Sequence, residues 1–146
     1  MTSRDFARVI GILFLAVGVL GFFPGLKSPP PPTAPQLAVD GAYGLLLGLF
    51  PVNWIHNLVH LGIGVAALRS LHSISDSRKF ARGLTFLYGG LAVMGLIPAL
   101  NTTFSLIPLF GHDVWLHAAT AAVAAYFGFG QRAENMETRE RYRRAA

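Results

Sequence analysis

The chain has 146 residues, 53% hydrophobic and 13% charged, with no cysteine and a formal net charge of +5 at pH 7. The lack of cysteine excludes disulfides and thiolate metal sites, and the length suits a single domain. Soluble domains average about 25% charged residues, so so low a charge content predicts an integral membrane protein, with the surplus basic residues serving orientation rather than nucleic-acid binding.

Taken in chain order, the first predicted element is a membrane-spanning helix over about residues 6–23. A span takes roughly 20 apolar residues. The segment has no small-residue cleavage site and ends in Phe22-Phe23-Pro24-Gly25, so it reads as a retained helix and not as a signal peptide. A long outer connection, residues 24–52, follows. Its run Pro29 to Pro32, with Pro35 after it, predicts an extended, exposed spacer. The stretch Gly41 to Phe50 is too short to span and is expected as a partial helix lying against the bundle. The second, third and fourth spans fall at about 53–71, 80–100 and 114–130. These give a four-span membrane domain over residues 1–130, followed by a charged tail, residues 131–146. Small residues such as Gly11, Gly18, Gly64 and Gly95 punctuate the spans and predict close helix packing.

The halves repeat one another. Phe6-Ala7-Arg8 is separated from Pro24 by fifteen intervening residues, and Phe80-Ala81-Arg82 from Pro98 by fifteen as well. Leu49-Phe50-Pro51 is followed nine residues after Pro51 by His60, and Leu106-Ile107-Pro108 nine residues after Pro108 by His117. The expected fold is therefore all-α: an integral membrane four-helix bundle of two tandem two-helix repeats. All but one of the twelve Lys and Arg residues fall on one side of such a bundle, Lys27 being the exception. Both termini are then expected in the cytoplasm.

The polar residues of the second and fourth spans are the candidates for chemistry. His56 and His60 stand at i and i+4 on one helix face, and so do Asp113 and His117. The repeat superposes Asp113 on His56 and His117 on His60. Three imidazoles and a carboxylate, His56, His60, Asp113 and His117, make a candidate divalent-metal ligand set. His60 and His117 alone would suit the axial positions of a haem, and a chlorophyll-type pigment needs only one of them. The competing reading is a structural polar cluster that includes Asn53 and Asn57, with Asn53 and Asp113 as helix N-caps. Proton or solute movement is a third reading. No nucleophile–base pair, phosphate loop or carboxylate dyad points to a hydrolase.

The run Gly48 to Asn53, the run His56 to Leu61 with Gly62 and Gly64, and Asp113-Val114-Trp115-Leu116-His117 together resemble a bacterial family of small four-helix membrane proteins, domain of unknown function 4383. The resemblance covers about Phe6 to Gly130. It implies a fold and a multi-pass location in the bacterial inner (plasma) membrane, or in a thylakoid membrane for a cyanobacterial chain, and implies no activity. The functional expectation is a non-enzymatic accessory or assembly subunit of a membrane complex, in contact with the lipid bilayer and with other membrane subunits. The alternative is a metal- or tetrapyrrole-binding protein, redox-active or not, built on the histidine cluster.

Overall fold

The computed structural model describes residues 1–130 and 141–145. Helix α1 (Ser3–Leu20) is opened by a capping box. Thr2 accepts from the Asp5 backbone N–H while the Asp5 carboxylate accepts from the Thr2 N–H, so two donors at the helix start are satisfied together. Helix α2 (Trp54–Arg69) is capped by Asn53, and α3 (Ile74–Leu96) by Ser73. Helix α4 (His112–Ala125) runs on into a π-helical turn, Tyr126–Gly130.

The helices pack as two pairs. α1 lies against α2 and α3 against α4, and the pairs meet chiefly through α1 and α3. Glycines set the spacing within the pairs. A Cβ on Gly11 would meet Leu68 and Ala67, one on Gly18 would meet Leu61 and Asn57, and one on Gly64 would meet Leu15 at 2.7 Å. The contacts run in opposite order along the two helices, so α1 and α2 are antiparallel. Gly95 against Val114 and Gly128 against Arg82 show the same for the other pair. Phe6, Phe14, Leu84, Tyr88, Ala121 and Phe127 form the core between the pairs.

Two expectations are corrected here. The fold is not all-α. Three short antiparallel strands, β1 (Lys27–Ser28), β2 (Gly44–Leu46) and β3 (Phe50–Val52), form a sheet in the order β1-β2-β3. The segment Gly41 to Phe50, expected as a partial helix, supplies β2 and its turn. Gly41, Gly44 and Gly48 are poor helix formers. Leu47 and Gly48 take positive φ, 53° and 72°, and the Leu49 N–H closes the turn on the Leu46 carbonyl at 3.1 Å. Successive positive φ values suit a tight hairpin. Its counterpart in the second half, residues 97–111, is a series of turns in which Thr103, Phe104 and Ser105 also have positive φ.

The membrane reading is the second correction. No described helix is long and apolar enough to cross a membrane. α2 has 16 residues and α4 has 14. α1, with 18, takes in Arg4, Asp5 and Arg8, and α3, with 23, takes in Asp76, Arg78, Lys79 and Arg82. The expected spans overran the helices: α1 stops at Leu20 before Pro24, and α3 at Leu96 before Pro98. The four-span membrane bundle and its multi-pass inner-membrane or thylakoid location are overturned by this finding. Large apolar side chains nevertheless stand exposed on the outward faces, among them Ile12, Phe86, Val93 and Trp115. Most of the expected tail, residues 131–140 and 146, lies outside the described residues.

Candidate functional site

The local sequence aims the polar groups inward. Asn53 is fully buried and acts as a three-way clamp. Its Oδ1 accepts from the His56 backbone N–H at 2.9 Å, and its Nδ2 donates to the carbonyls of Val39 at 2.9 Å and Leu106 at 2.6 Å. The start of α2 is thereby tied to both long connections, and the His56/His60 face turns toward the core. Asp113 takes a different position from the N-cap expected of it. Gly111 occupies that position with φ 64° and no side-chain cap, and Asp113 stands inside the first turn of α4.

All four helices contribute to the result. α2 and α4 lie farther apart than α1 and α3, and their histidines reach across. His56, His60, Asp113 and His117 are all buried. Their rings join Phe14 of α1 and Tyr88 of α3 in a closed circuit. Centroid separations are 5.4 Å for Phe14–His60, 4.4 Å for His60–His56, 6.2 Å for His56–His117, 4.8 Å for His117–Tyr88 and 5.4 Å for Tyr88–Phe14.

Within the circuit, one ligand atom each from His56, Asp113 and His117 lie within 4.8 Å of one another. His60 falls outside that set, with its ring against His56 and Phe14. His56 Nδ1 lies 3.1 Å from the Pro51 carbonyl oxygen. A carbonyl can only accept, so Nδ1 carries the proton and Nε2 keeps its lone pair. Metal-binding imidazoles are commonly oriented in this way. His117 Nδ1 and Asp113 Oδ2 are 3.5 Å apart, too long for a good hydrogen bond. Neither atom has a hydrogen-bond partner among the described residues, and nor does His60 Nδ1.

The electrostatics follow from burial. Desolvation raises the Asp113 carboxyl to about 8. Desolvation lowers His117 to about 4, and desolvation with the charge of His117 lowers His60 to about 4. His56 is pushed well below its ordinary value, first by burial and then by its two histidine neighbours, against the opposing hydrogen bond to Pro51. At neutral pH the contact between His117 and Asp113 therefore joins a neutral imidazole to a mostly protonated acid and is no ion pair.

Asn57 is buried as deeply, yet both atoms of its carboxamide lack a partner among the described residues. The carboxamide lies against Gly21, the C-cap of α1, and the Asn57 backbone carbonyl against Gly18.

Residues 4–130 match the family described as Domain of unknown function (DUF4383). The chain belongs to that family. No curated protein and no solved structure matches it. The match takes in all of the helices named above but for Ser3, and the whole polar cluster of this DUF4383 chain, and stops short of the charged tail.

Sequence reasoning missed Phe14, Tyr88 and the Pro51 carbonyl. A signal for the first two existed: the alignment that sets Phe80 on Phe6 also sets Tyr88 on Phe14.

Proposed function

We propose that this DUF4383 chain binds one divalent transition-metal ion through His56, Asp113 and His117. The observation that carries the reading is the convergence of three buried ligand atoms within 4.8 Å. Around an ion with bonds of about 2.0–2.1 Å, tetrahedral donors lie about 3.3 Å apart, so side-chain rotations closing the set by about 1.5 Å complete it. Two imidazoles and one carboxylate are a donor set for zinc or iron(II). Burial supports the reading as well. An acid held neutral by desolvation and a set of unpartnered imidazole nitrogens are costly in isolation, and a cation offsets both costs. An ion is favoured over a tetrapyrrole between His60 and His117 because the His56 ring packs against both of them.

The test is a zinc titration of chelator-stripped protein. One equivalent is expected to bind. His56→Ala, Asp113→Ala and His117→Ala are each expected to abolish binding, while His60→Ala weakens it by about 10–100-fold. His72→Ala and His112→Ala, which change exposed residues, should leave it intact. Binding that survives His117→Ala would remove the basis of the proposal.

A further inference from the structure

A groove of about 290 Å³ runs beside the cluster. Leu13, Phe14 and Val17 of α1 form one wall, Leu116 of α4 the other, and Leu46 and Val52 of the sheet close one end. Its lining is almost wholly apolar, with the polar groups confined to His60, Tyr88, Asp113, His117 and Thr120. Of the three proposed ligands, Asp113 and His117 line the groove and His56 does not; the His56 ring is tied to the Pro51 carbonyl. Among these lining residues, the buried Nδ1 of His60, Nδ1 of His117 and Oδ2 of Asp113 have no hydrogen-bond partner among the described residues.

The geometry points to a binding site for a small monoanionic aliphatic acid: an oxygen-donor head on the open coordination position and an unbranched tail in the groove. This inference rests on the metal reading above. Three protein ligands leave a divalent ion at least one free position, and the groove that Asp113 and His117 line would give a ligand access to it. The head's charge follows from the balance of the site. No Lys or Arg lines the groove, so a divalent cation with ionised Asp113 leaves one positive charge buried and unmatched, which a monoanion neutralises. The tail follows from the apolar walls. Its size follows from the volume, roughly twice the ~150 Å³ of an apolar cavity that accepts benzene, or room for about a dozen non-hydrogen atoms.

Cobalt(II)-loaded protein tests this through its visible spectrum, with octanohydroxamate and acetohydroxamate as probes. Both carry the same chelating head and differ by six carbons of tail. Each buried methylene is worth roughly a factor of four, so octanohydroxamate should bind at least about 30-fold more tightly. Val17→Trp and Leu13→Trp, both on α1, which carries no proposed ligand, fill the groove. They should keep the cobalt spectrum and the acetohydroxamate affinity while bringing octanohydroxamate down to the same level. Equal affinity of the two probes in the unaltered protein, or octanohydroxamate binding untouched by both groove-filling variants, overturns the groove assignment and leaves the metal site standing. Absence of any cobalt spectrum overturns the metal site and the groove assignment together.

Discussion

Proton release on metal binding provides a quantitative probe of Asp113. In the metal-free fold its carboxyl is held at about 8, while His60 and His117 sit near 4. At pH 7, Asp113 is then about nine-tenths protonated and each of those imidazoles under about 1% protonated. The metal requires a carboxylate and neutral imidazoles. Binding at pH 7 should therefore release about 0.9 proton, all from Asp113, and affinity should climb about tenfold per pH unit between about 5 and 8 and level off above. The other titratable groups facing the carboxyl do not blur this. His56 is depressed by burial, and the Tyr88 phenol is raised by burial and by Asp113, so both are neutral throughout that window. Calorimetry of zinc binding in two buffers of different protonation enthalpy counts the protons. Asp113→Asn should bring the count to about zero and weaken binding sharply. A count near zero, or of two or more, in the unaltered protein would refute the reasoning, because it would mean that Asp113 is already ionised or that the imidazoles hold protons.

The same shifts govern the metal-free protein. The depressed histidines contribute stability that is present above about 6.5 and lost as pH falls toward 4, and the raised Asp113 contributes stability lost as pH rises from 3.8 toward 8. Thermal midpoints should peak near about pH 6.5 and fall on both sides; a monotonic profile contradicts the shifts. Gly64→Ala puts a Cβ 2.7 Å from Leu15 Cγ and 3.0 Å from the Gly11 carbonyl oxygen, and should cost about 1–3 kcal/mol in denaturant unfolding. Gly62→Ala, with nothing within 4 Å, should gain about 0.5–1 kcal/mol from helix propensity, so equal effects at the two positions would argue against the packing. Asn53→Asp keeps the cap but sets an acceptor against the Val39 and Leu106 carbonyls; it should destabilise by about 2 kcal/mol or more, where a pure cap would tolerate the change. Asn57→Leu should stabilise by about 1–3 kcal/mol, since it replaces a buried carboxamide without partners by an apolar group of similar shape. A lowered midpoint would show that the amide has a partner.

The site was more legible in the sequence than the fold around it. The i,i+4 spacing fixes which side chains share a helix face, and the internal repeat carries His60 onto His117 and His56 onto Asp113. That was enough to nominate the residues the structure brings together. It was not enough to separate His60 from the compact ligand set, because ring orientation depends on Pro51, Phe14 and Tyr88, contributed by other elements. The sheet was hidden for a local reason. Leu47 is an apolar residue in a left-handed conformation that usually favours glycine or asparagine, so Gly44 to Val52 carries no obvious hairpin signature. The membrane spans were misread because the first was carried past Leu20 up to Pro24 and the third through Pro98, and because the charged first turns of α1 and α3 were left outside the count. Asp113 looked like an N-cap because its residue type and its place after Gly111-His112 suit one; only the backbone shows that the helix begins at His112.

Anomalous diffraction from zinc-loaded crystals, measured on both sides of the zinc absorption edge, would show whether one ion is held by His56, Asp113 and His117. A single strong peak is expected about 2.0–2.1 Å from one ring nitrogen each of His56 and His117, with an Asp113 carboxylate oxygen about 2.0–2.2 Å away. A fully loaded crystal with no peak in the cluster, or with its peak on an exposed histidine such as His72 or His112, would contradict it.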